Sequence, residues 1–157
     1  MASRHPMAVL LVALLGCAGS STDPLPNGLR VSFTAPTVVQ LGDSAVLQLA
    51  LYNDTGADIP LSLFAEGGFA FDPVVRLLGD SSIVWERISN LVLASGALER
   101  QMHPGDSAMF RAVWHLNGTA GLPVRTGIYL VTPFLKDEAG NPIVDQRFAR
   151  QLRVVSR

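Results

Sequence analysis

Turn-forming residues recur along this chain at intervals too short for helices of ordinary length. Clusters of Gly, Asp, Asn, Ser and Pro separate the apolar runs, and they recur roughly every 8–12 residues. Within Ala45–Asn53 the apolar residues have a period of two, so that Leu47, Leu49 and Leu51 share one face. Short strands at this spacing are typical of two packed antiparallel sheets. The chain is therefore predicted to be all-β.

The stretch from Gly67 to Trp85 has the pattern of a β-hairpin. Two apolar runs, Phe69–Leu78 and Ile83–Trp85, are rich in β-branched and aromatic residues. They flank Gly79–Ser82, a segment of residue types that favour turns. We predict that the two runs pair as antiparallel strands.

Alternation and turn signals divide the rest of the chain into further strands. Ser89–Gln101 has no clean pattern, and we predict a loop there with a short strand at Leu98–Met102. For the last segment a terminal helix is the alternative, since its residues 148, 152 and 155 are also spaced i, i+4, i+7. The other predicted strands are Leu29–Ala35, Thr37–Leu41, Ala45–Asn53, Ile59–Phe64, a strand that ends near Trp114, Gly127–Leu135 and Phe148–Val155.

The segment Gly127–Val131 places Tyr129 two residues before Val131. In immunoglobulin domains a tyrosine two residues before the second cysteine of the disulfide forms the tyrosine corner. Here Val131 stands at the place of that cysteine, and Cys17 is the only cysteine of the chain. The sequence therefore predicts an immunoglobulin-like antiparallel β-sandwich with no disulfide. Its predicted core includes Leu49, Leu51, Phe71, Trp85, Trp114, Tyr129 and Val131.

The N-terminal residues have the pattern of a bacterial lipoprotein signal. Arg4 and His5 form a short basic start, and Met7–Leu15 is an apolar run too short to span a bilayer. The run ends in Leu14-Leu15-Gly16-Cys17, which resembles a lipobox. We predict a signal peptide at 1–16, a lipidated Cys17 with a flexible tether at 17–28, and the sandwich domain at 29–157. An ordinary cleaved signal and a buried core helix are the alternatives for the apolar run.

A lipid on Cys17 predicts a protein anchored in the cell envelope, periplasmic or on the outer membrane where the cell has one. No later run reaches the roughly 18 apolar residues that a membrane span requires. The lipid alone is therefore the predicted membrane contact.

Charge and residue types exclude several classes of function. Twelve Lys and Arg are scattered among thirteen Asp and Glu, which leaves no basic stripe for nucleic acid. Once the signal is removed, His103 and His115 are the only histidines, and they lie on different predicted strands. No carboxylate cluster has the spacing of metal ligands. The sequence predicts no metal site and no cofactor.

The tripeptide Gly-Asp-Ser occurs three times, beginning at Gly42, Gly79 and Gly105. A serine hydrolase interpretation needs a histidine base held by a carboxylate beside the serine, and neither His103 nor His115 has such a setting in the sequence. Gly, Asp and Ser are turn residues for separate physical reasons. We therefore predict three turns, no catalytic residues and a protein that is not an enzyme.

Several short motifs follow one another in the chain, and they are Phe69-Ala70-Phe71-Asp72, Gly79, Val84-Trp85, Pro104-Gly105-Asp106, Trp114 and Gly127-Ile128-Tyr129. Their order resembles the BsuPI family, the Bacillus-type intracellular proteinase inhibitors, which have an immunoglobulin-like β-sandwich. These motifs cover about Leu47 to Leu135 of the chain. After Trp85 this chain has Glu86-Arg87-Ile88 in place of the family's x-Trp-Ser.

The resemblance implies that a loop of the sandwich binds and inhibits a serine proteinase of the subtilisin type. Arg87 and Arg125 are candidate contacts for such a target, with solvated surface charges as the alternative. The rival hypothesis is a non-catalytic envelope module, which binds a partner protein through an exposed face or an edge strand. Neither function needs a cofactor.

Overall fold

The computed structural model describes residues 24–25, 27–80, 82–88 and 95–157. Within these residues the chain forms twelve strands and a 3-10 turn at Gln146–Phe148. In chain order the strands are β1 Arg30–Thr34, β2 Val38–Gln40, β3 Ala45–Tyr52, β4 Ile59–Glu66, β5 Val74–Leu77, β6 Ile83–Glu86, β7 Ser95–Met102, β8 Ser107–Trp114, β9 Gly127–Thr132, β10 Leu135–Lys136, β11 Pro142–Val144 and β12 Arg150–Val155.

Two sheets form the layers of a sandwich. One has three antiparallel strands in the order β1-β3-β8. The other has five strands in the order β2-β12-β9-β5-β6, all antiparallel except the parallel β2–β12 pair. Two further pairs, β4–β7 and β10–β11, extend the fold. The predicted all-β, immunoglobulin-like sandwich is confirmed, and the predicted hairpin at Gly67–Trp85 contains the β5–β6 pair.

Aromatic side chains from both sheets meet in the core. Trp114 of β8 and Tyr129 of β9 pack edge to face, with ring centroids 5.4 Å apart. Trp85 stacks on Trp114 at 6.3 Å but is only half-buried, because β6 is the edge strand of its sheet. The other predicted core residues are buried, and these are Leu49, Leu51, Phe71, Trp114, Tyr129 and Val131.

The predicted tyrosine corner is present. The Tyr129 hydroxyl donates a hydrogen bond of 2.6 Å to the carbonyl oxygen of Arg125, four residues upstream. Burial raises the pKa of Tyr129 above its ordinary value. This hydrogen bond fixes the end of the loop that joins β8 to β9.

Two predicted strands differ in length from the observed ones. β7 begins at Ser95, which is earlier than the predicted start at Leu98, and residues 89–94 of the predicted loop lie outside the described part of the chain. The predicted strand Gly127–Leu135 ends at Thr132, because Pro133 has no N–H for the ladder. The next strand, β10, is a separate pair with β11.

The last strand begins two residues later than predicted. Phe148 is buried in the 3-10 turn and not in a strand. The Asp145 side chain caps this turn by accepting a hydrogen bond of 3.0 Å from the backbone N–H of Arg147. The strand β12 then starts at Arg150, so the terminal helix considered as the alternative is wrong.

Candidate protein-binding edge

Four strands form one long antiparallel ribbon. One side of the ribbon consists of β3 followed by β4, and the other side consists of β7 followed by β8. The β3–β8 ladder ends with Tyr52 opposite Ser107, and the β4–β7 ladder begins with Ile59 opposite Met102. The six residues 53–58 on one side and the four residues 103–106 on the other interrupt the ribbon between the two ladders. The β4–β7 pair is therefore an arm that continues beyond the three-stranded sheet.

Asn53 fixes the junction between the arm and the sheet. It is completely buried, and its Nδ2 group donates hydrogen bonds to the carbonyl oxygens of Ala57 at 2.8 Å and Met102 at 2.9 Å. Its Oδ1 atom accepts hydrogen bonds from the N–H and the hydroxyl of Thr55. Its backbone N–H and carbonyl pair with Asp106 and Gly105. One side chain thus connects both sides of the ribbon at the interruption.

β7 is an exposed edge strand. Among the described strands it pairs only with β4, and seven of its eight residues are exposed, the exception being Met102. An edge strand carries a row of backbone N–H and C=O groups that a further strand can bind. Among the described residues, one edge of β7 is thus occupied by β4, and the other edge is unoccupied because no strand pairs with it.

The pairing shows which backbone groups of β7 face the unoccupied edge. In an antiparallel ladder, opposite residues alternate between pairs that exchange two hydrogen bonds and pairs that exchange none. Pro60 has no N–H, and Glu66 donates its N–H to Phe69 at 3.0 Å, away from β7. Both residues belong to the set that exchanges no hydrogen bonds with β7. The backbone groups directed away from β4 therefore belong to Ser95, Ala97, Glu99 and Gln101.

A groove runs beside this edge, between the arm and β8. It has a volume of about 360 Å³ and is lined by Leu61, Leu98, Glu99, Arg100, Ala108, Met109 and Phe110. Leu98 is 46% exposed and Met109 is 69% exposed, so apolar surface at the groove is open to solvent. Its volume lies near the lower end of the range of ligand sites, about 300–1,000 Å³, and suits a few side chains of a bound segment.

The edge of β8 differs from that of β7, because Arg87 covers part of it. The Nη1 group of Arg87 donates a hydrogen bond of 3.0 Å to the carbonyl oxygen of Arg111 on β8. The guanidinium also stacks on Phe69, 3.9 Å from the ring centroid. The backbone N–H of Arg87 donates to Asp72 Oδ1 at 3.1 Å. Arg87 therefore occupies a carbonyl that an added strand would need.

Arg87 and Arg125 were candidate contacts for a proteinase, and the structure places them differently. Arg87 is half-buried, its guanidinium bonds to the Arg111 carbonyl, and burial lowers the pKa of that guanidinium. Arg125 is exposed, and its carbonyl is the acceptor of the tyrosine corner. Cys17, the predicted lipid attachment site, lies outside the described residues.

The β8–β9 loop (115–126) is held by hydrogen bonds at several points. Thr119 donates its N–H to the carbonyl of Val84 on β6 at 2.8 Å. Gly118 donates to Leu122 at 2.8 Å, and Val124 donates to Leu116 at 2.9 Å. Leu122 is nevertheless 70% exposed. The loop thus presents one large apolar side chain on an ordered backbone.

The glycines of the three Gly-Asp-Ser segments lie in turns, as predicted, while Ser107 begins β8 and Ser81 lies outside the described residues. Each segment begins with a glycine in the left-handed region, with φ of 93° at Gly42, 87° at Gly79 and 85° at Gly105. At the third, Asp106 donates its N–H to the carbonyl of His103 at 2.9 Å across the predicted Pro-Gly turn.

The two histidines among the described residues have polar partners that sequence reasoning missed. Ser44 Oγ lies 2.8 Å from His115 Nδ1, and Asp58 Oδ1 lies 3.0 Å from His103 Nδ1. The members of these pairs are 71 and 45 residues apart, so no local motif could have signalled them. All four side chains are exposed, and the two contacts occur at different ends of β8 and its flanking turns. They form two separate pairs and not one Ser-His-Asp set.

Comparisons with known proteins give only distant similarities. No family model matches the chain, and no curated protein matches it. A CARDB domain from Pyrococcus furiosus, solved with di-metal ions, is 16% identical, with coverage of 86% of this chain and 95% of that one and a TM-score of 0.43. A β-glucosidase from Listeria innocua bound to glucose is 12% identical, with 86% and 16% coverage and a TM-score of 0.41. This chain therefore spans about a sixth of the glucosidase.

A third structure is the alkylpurine DNA glycosylase of Pseudomonas fluorescens bound to DNA, which is 14% identical, with 76% and 28% coverage and a TM-score of 0.43. Similarity at this level assigns no function. Within the described residues no three His, Cys, Asp or Glu side chains are grouped to hold a metal ion. The same residues include no helix of the length and apolarity needed to cross a bilayer.

Proposed function

We propose that this protein is a non-catalytic binding module that takes an extended segment of a partner protein as an added strand on β7. The observation that carries the proposal is the exposed edge of β7, with the backbone groups of four residues directed away from β4. Strand addition uses such backbone groups for affinity and adjacent pockets for side-chain selection. The groove lined by Leu98 and Phe110 supplies the pocket.

The other edges of the sandwich are less suited to an added strand. β2 and β6, the edges of the five-stranded sheet, contain three and four residues. β1, at the edge of the other sheet, contains five residues, and β8 has its Arg111 carbonyl bound by Arg87. β7 contains eight residues. The module is thus proposed to bind its partner at one edge.

A proline at position 97 tests the proposal directly. The N–H of Ala97 faces away from β4, so Ala97→Pro removes a donor from the unoccupied edge and leaves the β4–β7 ladder intact. We expect peptides selected from a library of extended sequences to bind the full-length chain and to lose at least about tenfold in affinity for the variant, as measured by fluorescence anisotropy.

Ala97→Val is the matched control, because it retains the N–H and keeps a residue suited to strands. It is expected to bind the selected peptides as the wild-type chain does. Equal affinity of the wild-type and Ala97→Pro chains, with both folded by circular dichroism, contradicts strand addition at β7.

Proteinase inhibition is the second candidate function, and the β8–β9 loop favours it. Rigid loops lose little entropy on binding, and this loop holds Leu122 exposed on a hydrogen-bonded backbone. We propose Leu122 as the residue that enters the apolar specificity pocket of a subtilisin-like proteinase.

The full-length chain is then expected to slow such a proteinase as its concentration rises. Leu122→Asp is expected to raise the inhibition constant about tenfold or more, since buried anchors dominate interface energies. Val38→Asp, at another exposed apolar residue, is expected to leave inhibition unchanged. Absence of inhibition by the wild-type chain, or an equal effect of the two variants, contradicts this function.

The proposed location is the cell envelope, with a lipid on Cys17 as the membrane anchor. The basic start, the short apolar run and the cysteine that follows support this proposal. An anchored module with an unoccupied strand edge is suited to hold a partner protein close to the membrane surface.

A further inference from the structure

The side chains beside the β7 edge have a definite chemistry. Leu98 and Arg100 are two residues apart on the strand and therefore lie on the same face, which is the face of Leu61 and Leu63 opposite them on β4. Both line the groove. Glu99 points to the opposite face of the strand. The groove side of β7 thus presents an apolar side chain followed by a cation.

Arg100 is exposed and forms no ion pair or hydrogen bond with the residues that the structure describes. By contrast, Arg30 pairs with Asp54 and Arg147 pairs with Asp145. A guanidinium beside an apolar groove favours a carboxylate from outside the chain. The groove therefore combines an apolar floor with an unpaired positive charge at its rim.

The position of Leu98 and Arg100 in the ladder brings an added strand close to them. The backbone groups of Leu98 and Arg100 bond to β4. A strand added on the other side therefore pairs with these two residues without exchanging hydrogen bonds. Opposite residues in such pairs have the shorter Cα separation, about 4.5 Å, and their side chains touch. An antiparallel strand is the more stable arrangement per residue.

We infer that the partner segment of the proposed module carries an acidic residue opposite Arg100 and an apolar residue opposite Leu98, in an antiparallel strand. The segment then has the pattern Glu-x-Leu or Asp-x-Leu from its N-terminal side, with the apolar side chain in the groove. This inference rests on the proposed strand addition at β7.

A second copy of this chain does not supply that pattern. Glu99 is the one carboxylate of β7; it lines the groove, but its side chain is on the strand face opposite those of Leu98 and Arg100. If Leu98 paired with Leu98 of a second copy, Arg100 would lie opposite Gly96. If Leu98 paired with Arg100, Glu99 would lie opposite Glu99, and two like charges would repel. The groove therefore favours a different protein as the partner.

Four peptides of the same length as β7 test the inference. Each has Glu-x-Leu, Gln-x-Leu, Lys-x-Leu or Leu-x-Glu at the centre of an otherwise uncharged β-forming sequence. Their binding to the full-length chain is measured by fluorescence anisotropy. We expect Glu-x-Leu to bind about two- to fivefold more tightly than Gln-x-Leu, the range of an exposed cross-strand ion pair. Lys-x-Leu and the reversed Leu-x-Glu are expected to bind more weakly than Gln-x-Leu.

Charge reversal separates the role of Arg100 from general electrostatics. Arg100→Glu is expected to reverse the preference, so that Lys-x-Leu binds more tightly than Glu-x-Leu. Arg153→Glu, the same charge change at an exposed residue of β12, is expected to keep the wild-type order. Arg100→Gln is expected to abolish the difference in affinity between Glu-x-Leu and Lys-x-Leu. This variant replaces Arg100→Glu in the test if Arg100→Glu does not fold.

The outcomes distinguish this inference from the proposed function. Peptides that bind with no dependence on Arg100 overturn the acidic-residue inference and leave strand addition standing. Failure of all four peptides and of library-selected peptides overturns strand addition itself. Reversible self-association in sedimentation experiments that Ala97→Pro abolishes identifies a second copy as the occupant and overturns the choice of a different partner.

Discussion

Replacing Asn53 by alanine is expected to lower the free energy of unfolding by about 2–4 kcal/mol, because the change leaves buried backbone groups without partners. Asn53 is completely buried and donates hydrogen bonds to two carbonyl oxygens. The hydrogen bond to the carbonyl oxygen of Met102 is buried. Each orphaned buried group costs about 1–3 kcal/mol. Urea denaturation of the full-length chain, followed by tryptophan fluorescence, measures the shift in the midpoint.

Asn117→Ala is the matched control for this variant. Asn117 lies exposed in the β8–β9 loop, and only its backbone carbonyl takes part in a described hydrogen bond, from Trp114 Nε1 at 2.8 Å. Its replacement is expected to cost less than about 0.5 kcal/mol. Hydrogen exchange provides a second measurement, since amides of β4 and β7 are expected to lose protection first in Asn53→Ala. Equal stability of the two variants contradicts the assigned role of Asn53.

Replacing Cys17 by serine is expected to abolish incorporation of labelled palmitate and to move the protein from the membrane fraction to the soluble fraction. The physical reason is that acyl chains on the cysteine bind a bilayer at about 0.8 kcal/mol for each buried methylene, and serine offers no thiol for their attachment. Ser20→Ala, three residues further on, retains Cys17 and is expected to remain labelled and membrane-bound. An unlabelled wild-type chain, or a labelled Cys17→Ser chain, contradicts the lipid anchor.

The sandwich could be predicted from the sequence because its strands and turns leave patterns among residues that are close together in the chain. In β3 the buried Leu47, Leu49 and Leu51 alternate along one face, and the strand found is within a residue of the one predicted. The tyrosine corner likewise depends on a hydrogen bond that spans four residues. Patterns of this kind are visible wherever one face of a strand is buried and the other is exposed.

The candidate binding edge could not be predicted in the same way. β7 has seven exposed residues and therefore no alternation from which its full length could be deduced. Its position depends on Asn53, whose side chain contacts Met102 at a separation of 49 residues. The cover over β8 depends on Arg87 and the carbonyl of Arg111, which are 24 residues apart. Such long-range contacts leave no periodic signal in the sequence.

The parallel β2–β12 pair determines when this fold can be completed. Arg153 of β12 lies opposite Val38 of β2, so residues near the two ends of the domain are neighbours in the five-stranded sheet. Contacts between residues so far apart in sequence slow folding, because a long loop must close before they form. During synthesis, β2 has no partner among the described strands until β12 has emerged. The β2–β12 pair is therefore the last part of the five-stranded sheet to form. In a chain whose synthesis stops before β12, β2 is left unpaired and open to aggregation.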